Sequence, residues 1–167
     1  MSTTRVGLGF DVHPFSEDPA RPLILGGVVL DGPGLHGHSD ADLVAHAVCD
    51  AILGVTGHED LGTLFPASDP QWHDAASMRF VEEAARLVAV AGWWIINVDV
   101  VVAAEAPKLG PHVATIASNV ASALAVARRP MGEGVHVSVK PKRGEGLGFV
   151  GRVEGMAAWA VALLERG

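Results

Sequence analysis

Gly9-Phe10-Asp11-Val12-His13 and, further along, His38-Ser39-Asp40-Ala41-Asp42-Leu43-Val44-Ala45-His46 are the stretches from which the rest of the chain is read. Asp11 and His13 are two residues apart, so on a strand both side chains leave the same face. Ser39-Asp40-Ala41-Asp42 has the capping-box form and predicts a helix that ends near Gly54 or Gly57. On that helix Val44, Val48, Ile52 and Val55 share one face, and Asp42, His46 and Asp50 share another. Such a polar face is commonly no more than solvated surface, and a D-x-H pair alone is more often structural. Together they differ: one carboxylate and two imidazoles are the ligand set of a zinc site whose fourth position stays open. Asp42, one turn before His46, is the expected carboxylate behind the imidazole.

Outward from there, residues 4–12 and 22–30 read as strands, and 31–37 as a loop. Residues 60–66 read as irregular, 77–91 as an amphipathic helix with Glu82, Glu83 and Arg86 outward, and 94–103 as a Val-rich strand. A helix over 111–127 has proline in its first turn. A strand follows at 135–140, then a glycine-rich turn at 144–148. Residues 153–164 are open between helix, which their alanines favour, and strand, which Gly151 and Gly155 allow. This order predicts an α/β or α+β sandwich in one domain over 1–167.

Of the 167 residues 49% are apolar and 19% charged, oily for a monomer of this size, which points to subunit contacts. The apolar run at 156–164 is well short of the ~18 residues a bilayer span needs. Arg5 followed by Asp11 leaves no signal-peptide core, so no membrane partner is expected. A net charge of −7 argues against a non-specific nucleic-acid binder and requires local cations for any polyphosphate ligand. The single Cys49 suits a reducing cytoplasm and reads as a core residue.

Gly146-Leu147-Gly148-Phe149-Val150-Gly151 matches G-x-G-x-x-G, but too little chain remains for a dinucleotide-binding βαβ unit. The turn still suits a phosphate, because Lys140, Lys142, Arg143 and Arg152 surround it. His38-Ser39-Asp40 has the residue types of a hydrolase triad, but three consecutive residues cannot form the relay; His38 stays a candidate donor to substrate. Residues 104–109 follow a strand and precede a helix, a common place for ligands. Trp93 and Trp94 read as packing residues.

Taken in order and spacing, these pieces resemble the 2-C-methyl-D-erythritol 2,4-cyclodiphosphate synthase family of the non-mevalonate isoprenoid pathway. The likeness rests on 9–13, on 38–42 with His46, on 60–62 with 64–66, on Asn97-Val98-Asp99-Val100, on Ala106-Pro107-Lys108, and on Leu147-Gly148-Phe149 with Gly151-Arg152 and Glu154-Gly155. It implies an α+β fold, a mixed four-stranded sheet packed against helices, in a homotrimer whose sheets face a central channel. It implies a phosphorus–oxygen lyase that turns 4-diphosphocytidyl-2-C-methyl-D-erythritol 2-phosphate into the cyclic diphosphate and CMP. Zinc would sit on Asp11, His13 and His46, and magnesium or manganese on Glu145 with the diphosphate. His38 and Ser39 would touch phosphate; Asp60, Leu61 and Gly62 would hold the methylerythritol part, with Phe65 and Asp69 nearby. Ala104, Ala106, Pro107, Lys108 and Leu109 would form a cytosine pocket supplied by the adjacent protomer, and Asp50 would meet the ribose. Phe149 and Arg152 would lie near the channel mouth, where an isoprenoid diphosphate can bind. The last segment would be a strand. Lys142-Arg143-Gly144 stands where the family has threonines, so Arg143 would replace a transition-state threonine. Ala67 stands where an acidic residue is common. The rival readings are a low-activity trimeric metal- and nucleotide-binding homologue and a zinc phosphodiesterase that uses water.

Overall fold

The computed structural model describes residues 2–66, 68–72 and 75–167; the Ala67 position lies outside them. Strict alternation builds β1 (Thr3–Pro14): Gly7 and Gly9 face inward and buried, while Val6, Leu8 and Phe10 face outward and exposed. The expected strand at 22–30 is instead a tight hairpin, β2 (Leu23–Leu25) and β3 (Val28–Leu30). The break is at Gly26-Gly27, both at positive φ, as a two-residue turn of matching twist demands.

Helix α1 (Leu43–Thr56) starts later than the capping-box pattern suggests. Ala41 has φ 56, so the chain is still turning there, and Asp42 itself is the N-cap, accepting from Val44 N and Ala45 N. Gly57, left-handed at φ 77, ends the helix. Nearly every side chain of α1 is buried, as expected of a helix enclosed on all sides. One side lies on the sheet and another against α3 (Met78–Val90). The stretch expected to be irregular contains a short helix, α2 (Leu61–Leu64), capped by Asp60 through Thr63 N at 2.9 Å.

The sheet has strand order β1-β6-β4-β5, formed with β4 (Trp94–Ala103), β5 (His136–Lys142) and β6 (Gly155–Arg166). It is mixed: β6 is antiparallel to β1 and β4, and β4 is parallel to β5. The parallel crossover carries α4 (Val113–Ala123), and the short α5 (Gly148–Gly151) joins β5 to β6. The alanine-rich last segment is a strand. Pairing on both edges outweighs alanine's helix preference, and buried Ala158, Ala160 and Ala162 leave α1 room to approach.

Two glycines govern that approach. A Cβ on Gly7 would lie 1.8 Å from the carbonyl oxygen of Ala51, and one on Gly9 1.9 Å from that of Ala47. Strand β1 therefore lies backbone to backbone on α1, just below the level of Asp11 and His46. The opposite sheet face exposes Val6 and Leu8 at 67% each, with Phe10, Trp159 and Val161 beside them. A sheet apolar on both faces is normally covered on both, and a single chain covers only one. Among the described residues no helix is long and apolar enough to cross a membrane.

Candidate metal centre and substrate site

The alternation that turns Gly7 and Gly9 inward also turns Asp11 and His13 inward, onto α1 at His46. His46 Nδ1 is 2.9 Å and His13 Nε2 3.0 Å from Asp11 Oδ2, and the two ring nitrogens are 3.3 Å apart. Ligand atoms bound tetrahedrally at about 2.05 Å are about 3.3 Å from one another, so the spacing suits zinc with a modest opening. The donor set also fits: among the described residues this is the group of three His, Cys, Asp or Glu side chains able to hold a metal ion.

The far side of each imidazole is occupied. His13 Nδ1 is 2.7 Å from the carbonyl oxygen of His36, which leaves Nε2 for the metal. His46 Nε2 is 2.9 Å from Ser77 Oγ and 3.2 Å from Ser39 Oγ, which leaves Nδ1. The expected carboxylate, Asp42, is not there. It is fully buried and gives both oxygens to backbone, accepting from Gly26 N at 2.8 Å and Gly27 N at 2.7 Å besides capping α1. With both oxygens taken up by main-chain N–H groups, Asp42 is committed to the hairpin and the helix cap. The polar face of α1 is likewise not solvated, since Asp42 and His46 are both buried.

Burial alone would push the Asp11 carboxyl up. Hydrogen bonds and charge from His13 and His46 outweigh it and hold the carboxyl well below the usual carboxylate range. For His13 burial opposes protonation, and Asp11 overcomes it and raises the imidazole. The three donors open into a cavity of about 330 Å³, lined also by His38, Ser39, Asp50, Asp60, Leu61, Gly62, Phe65, Trp72 and Phe80. Its wall is aromatic: Phe65 stacks on Phe80 at 4.7 Å, and Trp72 meets both edge-on. Asp50 accepts from Leu61 N at 2.9 Å; burial, then the charges of Asp60 and Asp11, push its carboxyl up.

A second cavity, about 550 Å³, is lined by residues 104–111 with Pro141, Lys142 and Arg143. The two linings share no residue. Arg143 is ion-paired to Glu105, whose other oxygen accepts from Gly144 N at 2.9 Å, so one carboxylate ties the 104–109 loop to the turn after β5. Glu145 is on that turn, at φ 51, apart from the three clustered donors.

Of the residues singled out from sequence, Asp11, His13, His38, Ser39, His46, Asp50, Asp60, Leu61, Gly62 and Phe65 meet in the first cavity. Ala104, Ala106, Pro107, Lys108, Leu109, Lys142 and Arg143 meet in the second. Asp69 bonds locally to Gln71, and Arg152 pairs with Glu154 near half-exposed Phe149. Trp93 is buried under Arg5, and Cys49 is a buried thiol. Sequence reasoning missed Ser77, Trp72 and Phe80. A serine ahead of an amphipathic helix reads as a cap, and nothing local says that its hydroxyl turns elsewhere.

The YgbB family model matches residues 4–165. The chain is 50% identical over 169 residues to the 2-C-methyl-D-erythritol 2,4-cyclodiphosphate synthase of Rubrobacter xylanophilus, covering 99% of this chain and 98% of that one. It is 47% identical over 160 residues to the bifunctional enzyme IspD/IspF of Anaeromyxobacter dehalogenans, covering 96% of this chain but only 39% of that longer protein. Among solved structures, Plasmodium falciparum IspF in a CDP complex superposes with a TM-score of 0.80 at 32% identity, covering 98% of this chain and 96% of that one. A match over nearly the whole length, at this identity and with the Asp-His-His cluster in place, means that the chain belongs to the YgbB family.

Proposed function

We propose that the chain converts 4-diphosphocytidyl-2-C-methyl-D-erythritol 2-phosphate into 2-C-methyl-D-erythritol 2,4-cyclodiphosphate and CMP. The observation that carries the reading is the cluster Asp11, His13 and His46, its three donor atoms within 4.8 Å of one another and opening into a polar-floored, aromatic-walled cavity. A 2-phosphate oxygen attacks the β-phosphorus in line. The bond from that phosphorus to the bridging oxygen breaks, and its electron pair leaves on the α-phosphate of CMP. No water takes part in the reaction, so a hydrolysing water must be kept from the β-phosphorus, a task suited to the aromatic wall of Phe65, Trp72 and Phe80. Positioning and charge neutralisation are the main demands. Asp11, His13 and His46 would hold a divalent ion and Glu145 a magnesium or manganese ion, which would supply Lewis-acid neutralisation of the phosphates. His38 and Ser39 hold phosphate oxygens; Asp60, Leu61 and Gly62 hold the methylerythritol hydroxyls; Asp50 takes the ribose. Residues 104–109 take the cytosine, with Lys108, Lys142 and Arg143 supplying positive charge.

The same reading includes assembly. Val12, Ala157, Ala103 and Lys142 lie in one row across the sheet. The metal cluster and the Lys142-Arg143 turn are therefore on opposite edge strands, three strand spacings or about 14 Å apart. A diphosphate cannot bridge that distance within one chain. A homotrimer, with each cytosine loop completing a neighbour's metal site and the apolar sheet faces turned to a central channel, resolves the gap and covers the exposed face. Phe149 and Arg152 would stand at the channel mouth, a place for an isoprenoid diphosphate. A cytoplasmic setting is in keeping with the lone buried thiol. Curated relatives named as synthases at this identity favour catalysis over a binding-only role.

The test is phosphorus NMR of the product. A cyclic diphosphate, with stoichiometric CMP, is expected in the presence of divalent metal and is abolished by a chelator and by His46→Ala. Two separate phosphomonoesters, a 2,4-bisphosphate without phosphorus–phosphorus coupling, would assign the chain to water-using hydrolysis instead.

A further inference from the structure

Ser77 precedes α3, where a serine hydroxyl normally caps the helix, yet it makes no cap bond. It is wholly buried, and its oxygen is 2.9 Å from His46 Nε2 and 2.5 Å from Asp40 Oδ1. Asp40 Oδ2 accepts from Ser77 N at 3.1 Å, and Asp40 N donates to the carbonyl of Ala75 at 3.2 Å. The head of α1 and the start of α3 are thus joined behind the metal ligand. The direction of these bonds follows from what each group can do. An ionised carboxylate only accepts, so the single Ser77 hydroxyl proton goes to Asp40. Ser77 Oγ then offers lone pairs alone, and it requires the proton on His46 Nε2. That leaves the lone pair of Nδ1 aimed at Asp11 and the metal position.

We propose that Asp40 and Ser77 are positioning residues that fix the tautomer and ring plane of His46 for metal binding. They perform the task that the sequence pattern suggests for Asp42. The inference rests on the metal-site reading above and adds residues that touch neither metal nor substrate. Ser39 Oγ, at 3.2 Å from His46 Nε2 and 3.0 Å from Ser77 Oγ, is a second and longer acceptor, so losing Ser77 weakens the site rather than abolishing it.

The test is zinc affinity by chelator competition on the full chain, with solvent exchange of the His46 imidazole proton followed by NMR in the zinc-loaded protein. Ser77→Ala is expected to weaken zinc by about 10–100-fold and to speed that exchange, and Ser77→Thr, which keeps the hydroxyl, to restore both. Asp40→Asn is the sharper variant. With its carbonyl oxygen kept on Ser77 N, its amide nitrogen takes the place of Oδ1, which accepts from both Ser77 Oγ and Asp42 N; the serine proton turns to His46, Nδ1 is left protonated toward the metal, and a loss of similar size is expected. Zinc affinity within about threefold of wild type in both Ser77→Ala and Asp40→Asn overturns the proposal. Should Ser77→Ala fail to fold, Asp40→Asn alone decides by the same threshold. His46→Ala is the separate control: unchanged zinc affinity there would remove the metal-site reading itself.

Discussion

The proposed sharing of one site between two chains of a trimer has an arithmetic consequence. His46→Ala destroys the metal half and leaves the 104–109 loop and the β5 turn intact; Glu145→Ala does the reverse. The two halves are about 14 Å apart on opposite sheet edges, so neither variant repairs itself. Each homotrimer is expected below about 1% of wild-type turnover, since a lost phosphate-neutralising ion is worth several kcal/mol and about 1.4 kcal/mol is tenfold. Co-expression with two affinity tags and tandem purification isolates trimers that contain both chains. In a cyclic trimer each metal half faces the loop half of one fixed neighbour. Whether the composition is two to one or one to two, one ordered contact of the three then joins an intact metal half to an intact loop half. CMP release should therefore return to about one third of the wild-type rate per trimer. Mixed trimers no more active than their parents would refute the shared-site geometry, and with it the reading of the two cavities as complementary halves.

Asp42→Ala removes a helix cap and leaves the buried N–H of Gly26 and the part-buried N–H of Gly27 without their acceptor; a loss of about 3–5 kcal/mol is expected in urea melts, and under about 1 kcal/mol would contradict its role. The folded-state carboxyl of Asp50 is raised above its unfolded value of 3.8, so the fold prefers it protonated and loses stability as pH rises from there through the raised value. Asp50→Asn should accordingly be more stable than wild type at neutral pH, with the gain shrinking toward pH 4 in thermal melts, while the KM for substrate rises. Arg143→Ala should weaken CMP by about 10–100-fold, the value of a charge-assisted phosphate contact, and leave stability little changed because the guanidinium itself is largely exposed. Unchanged CMP affinity would leave Arg143 only the task of holding Glu105.

Sequence carried the site further than it carried its supports. Asp11, His13 and His46 were legible because strand and helix periods are rigid and ligand chemistry is narrow. The last strand was legible only through family resemblance, since alanine-rich segments take their conformation from neighbours. The hairpin at Gly26-Gly27 was missed because continuous apolar residues hid a turn that needs positive φ. Asp42 was misassigned because helix spacing says which residues share a face but not that a cap residue is consumed by the backbone. Ser77 is 31 residues from His46, and Asp40 and Ser77 are 37 apart; no local pattern encodes a contact that α1 and α3 create by packing.

The spacing of the three clustered donors is set below them, where no donor resides. At Gly7 and Gly9 strand and helix touch through main-chain atoms, and a carbonyl oxygen has no rotamer by which to yield. A single methyl at Gly9 would have to lift α1 by more than about 1 Å, several times the ~0.2 Å latitude of a zinc–ligand bond. His46 would move with the helix, and the three donors would no longer meet at zinc–ligand distances. The spacing of the three donors in this chain is thus a dimension of the scaffold, held by two glycines that are not themselves ligands.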